Sequence, residues 1–93
     1  MSTVVYGDFE WDEEMAVANE AKHGVRFEEA ALFTDPYSVD FADAVQPDRL
    51  VTLAMSPHER ILYVVTTERG FRTRIISARC ASTHERRIYE ADP

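Results

Sequence analysis

The clearest periodic signal lies in the second half of the chain, where apolar and β-branched residues cluster in short runs. Ser38 to Asp43, Leu50 to Ser56, Arg60 to Glu68 and Phe71 to Arg79 are rich in Val, Ile, Tyr, Phe and Thr and read as strands. Pro47-Asp48 and Ser56-Pro57 mark turns, and Arg69-Gly70 marks a tight hairpin. Ile61, Tyr63 and Val65 alternate with Leu62 and Val64, so that strand is apolar on both faces and belongs inside a sheet. Tyr6 to Glu10 forms a short first strand.

Between these strands the pattern is helical. Asp12 is an N-cap, Glu13 and Glu14 sit at the positive end of the helix dipole, and Lys22 and His23 occupy the last turn. Gly24 follows as the C′ residue. One helix over 13–23 explains all of these choices, with Trp11, Met15 and Ala18 spaced along one side. A second short helix begins near Phe27, buries Phe27, Ala30 and Ala31, and ends before Asp35-Pro36. Ser82 to Glu85 is a capping box that opens a last helix. The expected fold class is α+β: two N-terminal helices and one C-terminal helix on a mainly antiparallel sheet of 4–5 strands.

The turn at Arg69-Gly70 decides which residues share a face. A strict two-residue loop pairs Glu68 with Phe71, places Glu68 with Arg79, and puts Arg72 and Arg74 on the other face. Arg-Gly is a poor type I′ pair, so a bulge is the alternative, and one extra residue reverses these faces.

Ninety-three residues, 45% of them hydrophobic, suit one globular domain over 1–93. No apolar run is long enough for a membrane helix, and no secretory leader is visible. Cys80, the single cysteine, fits a reducing cytoplasm. The net charge of −7 is uneven. Residues 1–47 carry 11 acidic and 2 basic side chains, whereas six arginines between Arg69 and Arg87 face only Glu85. The whole chain is therefore unsuited to non-specific nucleic-acid binding, but its last third permits a local phosphate site. The acidic first half suits a basic partner protein. His23, His58 and His84 are far apart and no HxH or CxxC pair occurs, so no metal or other cofactor is expected.

Phe9-Glu10-Trp11-Asp12, Asn19, Lys22-His23-Gly24-Val25, Phe27-Glu28-Glu29-Ala30 and Asp35-Pro36 resemble the first half of the BrnT toxin family. Thr67-Glu68-Arg69-Gly70, Arg74 to Arg79, and Glu85-Arg86-Arg87 with Tyr89 resemble its second half. The resemblance implies a RelE-like fold and a cytoplasmic ribonuclease toxin that arrests growth by cutting RNA. It also implies a BrnA-like antitoxin with a ribbon-helix-helix part, two toxins with two antitoxins, and operator DNA contacted only through the antitoxin. Two departures stand out. Cys80 to Thr83 are neutral where the family often has basic residues, and Ser56-Pro57-His58-Glu59 stands where a glycine-containing turn is expected.

Metal-free RNA cleavage by the ribose 2′-OH needs a base, an acid, and cations around the crowded phosphorane. Arginine suits the last role because its planar fork offers paired donors to phosphate oxygens. Arg74 and Arg79 are the candidates to hold the phosphate, with Arg69 or Arg72 assisting. His23 or Glu68 is the candidate base and Lys22 a further cation. His84 and Arg86 are secondary substrate contacts, and Glu85 is a cap. Trp11 and Phe27 read as core residues. The alternative is a catalytically degenerate toxin that survives as an antitoxin-binding, operon-regulating module.

Overall fold

Glycine at position 7, with φ of 62°, lets the chain reverse through a two-residue turn. The N-terminus is thus a hairpin of β1 (Thr3–Tyr6) and β2 (Phe9–Asp12), not the single strand expected over Tyr6 to Glu10. The computed structural model describes residues 2–31 and 35–91. After the hairpin come α1 (Glu13–His23), α2 (Phe27–Ala31), β3 (Val39–Ala42), β4 (Arg49–Met55), β5 (Ile61–Arg69), β6 (Arg72–Cys80) and α3 (Thr83–Ala91). The strands form one six-stranded sheet in the order β1-β2-β6-β5-β4-β3. It exceeds the expected 4–5 strands because Gly7 splits the first one in two. Every pairing is antiparallel except β2 with β6.

Local signals set α1. The Asp12 carboxylate accepts the Met15 amide at 3.1 Å, and Gly24 takes the left-handed conformation at φ 70°. The buried face of α1 differs from the expected one. Trp11 belongs to β2, so spacing counted from it does not define a helix face. Ala16, Asn19 and His23 turn toward the sheet, while Met15 and Ala18 are exposed.

Asn19 is the one buried residue of α1. Beyond Arg74, β6 has no strand partner on the β2 side among the described residues, and the Asn19 amide replaces one. It accepts from the Ala78 N–H at 3.1 Å and donates to the Ala78 carbonyl at 2.7 Å and the Val25 carbonyl at 2.9 Å. A strand edge is closed by a side chain.

The main core lies between the sheet and helices α1 and α2. Trp11, Val25, Phe27, Ala30, Leu62, Val64, Ile75 and Ala78 fill it, with Trp11 edge-on to Phe27 at 5.9 Å. Trp11 and Phe27 are core residues, as their spacing suggested. The α2 segment starts as expected; its predicted end abuts residues 32–34, which lie outside the described residues. Glu29 on α2 is buried and takes the Arg60 fork at 2.8 and 2.6 Å, together with the Ser56 hydroxyl at 2.6 Å. Arg60 holds its carboxyl below the ordinary range despite burial.

The β4–β5 turn uses Glu59 where glycine usually sits. The Glu59 amide bonds the Ser56 carbonyl and Glu59 adopts φ 61°. A turn followed by a left-handed residue is the common three-residue hairpin loop, so the geometry expected of a glycine-containing turn persists without the glycine.

Candidate functional site

The β5–β6 hairpin turns at Gly70-Phe71, with Gly70 at φ 63°, not at Arg69-Gly70. Arg69 therefore opposes Arg72, Glu68 opposes Thr73, and Thr67 opposes Arg74. A bulge then shifts the register: Thr66 opposes Ile75, Val65 opposes Ser77 and Tyr63 opposes Arg79, leaving Ile76 unmatched. Opposed residues share a face. Arg69, Arg72, Arg74 and Arg79 consequently lie together on the face away from the main core. Glu68 lies on the reverse face, with Thr66, Thr73 and Ile75. The strict-loop expectation, which joined Glu68 to Arg79 and separated Arg79 from Arg74, is corrected on each count.

The two central arginines are engaged inside the protein. Arg74 Nη1 donates to Glu10 Oε2 at 2.5 Å, and both side chains are largely shielded from solvent. The parallel β2–β6 pairing sets Glu10 beside Arg74 and makes this contact possible. Arg79 donates from Nη1 and Nη2 to the two Glu85 oxygens at 2.8 Å each, and from Nη1 to the Cys80 carbonyl at 3.2 Å. Its guanidinium carbon lies 4.0 Å from the centroid of the Tyr63 ring. The Glu85 carboxyl is driven down to about 2, chiefly by the Arg79 fork, and the Arg79 guanidinium is held charged more firmly than usual by the same bonds.

Glu85 also completes the expected capping box: its Oε1 accepts the Ser82 amide at 2.8 Å, and its own amide bonds Ser82 Oγ at 3.2 Å. One carboxylate thus caps α3 and ties it to β6. No residue of α3 is buried. A second tie is the Tyr89 hydroxyl, which donates to Asp35 Oδ2 at 2.5 Å and is pushed up to about 12 by that carboxylate.

Lys22 and His23 fall where α1 meets the β6 bulge. They line a hollow with Met15, Ala18, Asn19, Ile76 and Ser77. Ile76 and Ser77 lie between Arg74 and Arg79 along β6, so the two N-terminal candidates flank the stretch that carries both arginines. Arg72 stacks on Phe71 at 5.1 Å near the hairpin tip, and Arg69 is exposed there. His84 is exposed on α3; Arg86 lines a separate groove with Met55, Arg60, Cys80 and Glu90. Lys22 and His23 reach the edge of β6 at its bulge from the α1 side of the sheet, whereas Arg74 and Arg79 lie on the opposite face and do not line that hollow; Glu68, His84 and Arg86 lie elsewhere. Among the described residues, no three His, Cys, Asp or Glu side chains form a metal-binding group. No described helix is long and apolar enough to cross a membrane.

Residues 11–85 match the family model described as the ribonuclease toxin BrnT of type II toxin–antitoxin systems. The chain belongs to the BrnT family. The resemblance seen in the sequence is thereby established, and a type II system implies an antitoxin partner. The fold is similar to the crystal structure of the Brucella abortus ribonuclease toxin BrnT, at 29% identity and a TM-score of 0.66. That likeness covers 78% of this chain and 94% of the Brucella chain. No curated protein matches the chain. Within the BrnT frame, sequence reasoning named Lys22, His23, Arg74 and Arg79 as candidates and did not anticipate the contacts of Arg74 with Glu10 and of Arg79 with Tyr63, or the second role of Glu85. The signal for Glu85 was present: it lies six residues after Arg79, just past a strand end. Glu10 is 64 residues from Arg74 and gave no local sign.

Proposed function

We propose that this BrnT-family chain cleaves RNA without a metal, by attack of a ribose 2′-OH on the adjacent phosphate. The supporting observation is the placement of Arg74 and Arg79 on one face of β6, with Lys22 and His23 at the bulge between them. Arg79 has five N–H donors, of which three are taken by Glu85 and Cys80, leaving Nε and one Nη2 hydrogen for a phosphate oxygen. Glu10 and Glu85 orient the two guanidinium groups, and the phosphate competes with them for donors. His23 is the base in this reading, because it sits at the β6 edge beside the bulge between Arg74 and Arg79, whereas Glu68 lies near the hairpin tip on the face opposite the arginines; Lys22 adds charge near the leaving oxygen. Arg69 and Arg72 at the hairpin tip, with His84 and Arg86 on α3, extend contacts to the RNA strand. A BrnA-like ribbon-helix-helix antitoxin, two per two toxins, restrains the enzyme in the cytoplasm and carries the contacts to operator DNA.

The internal pairing of Arg74 and Arg79 favours a second reading, a degenerate toxin that serves only as an antitoxin-binding module. Incubation of the isolated chain with end-labelled RNA and EDTA separates the two. Cleavage that persists in EDTA and vanishes in Arg79→Ala is the expected result. Intact RNA at high protein concentration supports the binding module.

A further inference from the structure

Helix α1 mixes apolar residues with acidic ones on its exposed side. Its side toward the sheet is anchored by the polar Asn19, while Val17, Ala18 and Ala21 point away from the sheet into solvent. Val17 is 66% exposed and neighbouring Met15 40%. A solvent-facing helix surface ordinarily carries charged side chains at these positions. Here the apolar strip borders an open hollow of about 460 Å³ lined by Ser2, Glu13, Glu14, Val17, Ala18 and Ala21. Val17 also borders a second hollow, toward α2, whose charged lining is Glu13, Glu20, Glu28 and Arg26. Val17 is therefore an apolar ridge between two grooves. Their combined rim carries four carboxylates against one guanidinium, and that guanidinium already lies 3.8 Å from both Glu20 and Glu28.

We infer that this face of α1 is a docking surface for a basic amphipathic helix of a partner protein. The occupant is helical because α1 bonds its own backbone internally and offers an added strand nothing to pair with. Ala18 and Ala21 allow a second helix to approach closely, and a ridge between grooves is the geometry on which helices pack. The occupant is basic because the rim is acidic and charge complementarity sets partner choice. A second copy of this chain is disfavoured by the same rim, since it would bring like charges together on a molecule of net charge −7. The partner implied by the type II family is the natural source of such a helix, so the inference rests on that partnership but not on catalysis.

The test is a methyl-NMR titration of the full chain with a synthetic 16-residue helical peptide, as an order of length suited to a few turns. It carries a Leu/Ala stripe flanked by lysines; a control peptide carries glutamates in their place. The lysine peptide shifts the methyls of Val17, Ala18, Ala21 and Met15, and binds about tenfold more weakly at high salt, where rim charges are screened. Val17→Asp removes the shifts while leaving the rest of the spectrum folded, and Glu14→Gln with Glu20→Gln weakens binding. The account is overturned if the lysine peptide shifts methyls elsewhere, if neither peptide binds, or if both bind equally. It is also overturned if sedimentation shows a dimer of the free chain that Val17→Asp dissolves. None of these readings involves RNA, so a chain that fails to cleave leaves this result standing, and the reverse.

Discussion

Arg79 and Glu85 face each other fork to fork, 2.8 Å apart at both contacts, with the Arg79 guanidinium lying over Tyr63. This pair joins the strand that carries the candidate phosphate ligands to a helix with no buried residue of its own. It therefore acts both on the site and on the stability of the C-terminal element.

The pair makes stability depend on acid. The Glu85 carboxyl titrates at about 2 in the folded chain against an ordinary 4.5. Its contribution is full above 4.5 and is lost as the pH falls toward about 2. Glu85→Gln is expected to be about 1–2 kcal/mol less stable at neutral pH, and the difference from the parent should shrink across that window. Denaturant melts at stepped pH measure the difference directly. A gap that stays constant with pH contradicts the assignment.

Asn19 should behave as a structural plug. Asn19→Ala leaves the Ala78 amide and two carbonyls without partners, at a cost of about 2–3 kcal/mol. Asn19→Asp keeps the acceptor for Ala78 but aims a carboxylate at two carbonyls. It should be poorly stable at neutral pH and recover partly on acidification. Thermal melts of both variants check this.

Much of the fold was legible because its signals are local. Asp12 and Gly24 bound α1, Ser82 and Glu85 open α3, and β-branched runs mark four C-terminal strands, each within a residue or two. The Gly7 hairpin escaped because one glycine in a short apolar run also suits a single strand. The buried face of α1 escaped because its anchor is polar and apolar periodicity cannot see Asn19. For the candidate site, the ordered family pattern pointed to the Arg74 to Arg79 segment of β6, but the faces hung on one residue of register. The Ile76 bulge alone moved Arg79 to the face of Arg74 and away from Glu68, since shifting the turn to Gly70-Phe71 changes the pairing by two residues and reverses no face. Contacts such as Glu10 with Arg74 depend on the parallel pairing of distant strands, which no local pattern encodes.

The β4–β5 turn offers a stabilising change. Glu59 holds φ 61°, a conformation that glycine adopts without a Cβ penalty. Glu59→Gly should raise stability by about 0.5–1 kcal/mol, after the entropic cost of glycine. Gly70→Ala should lower it by about 1–2 kcal/mol. The added Cβ at Gly70 meets nothing within 4 Å, so strain and not collision would be responsible. Calorimetry of the two variants gives shifts of opposite sign if the backbone argument holds.

The central claim is that the proton-moving group comes from α1, at the bulge, and not from the hairpin tip. Single-turnover cleavage of a labelled RNA by the parent, His23→Ala and Glu68→Ala chains decides it. The account predicts a loss of about 100-fold or more in His23→Ala and a rate within about twofold of the parent in Glu68→Ala, whose side chain is on the reverse face. An inactive Glu68→Ala chain beside a fully active His23→Ala chain would contradict it.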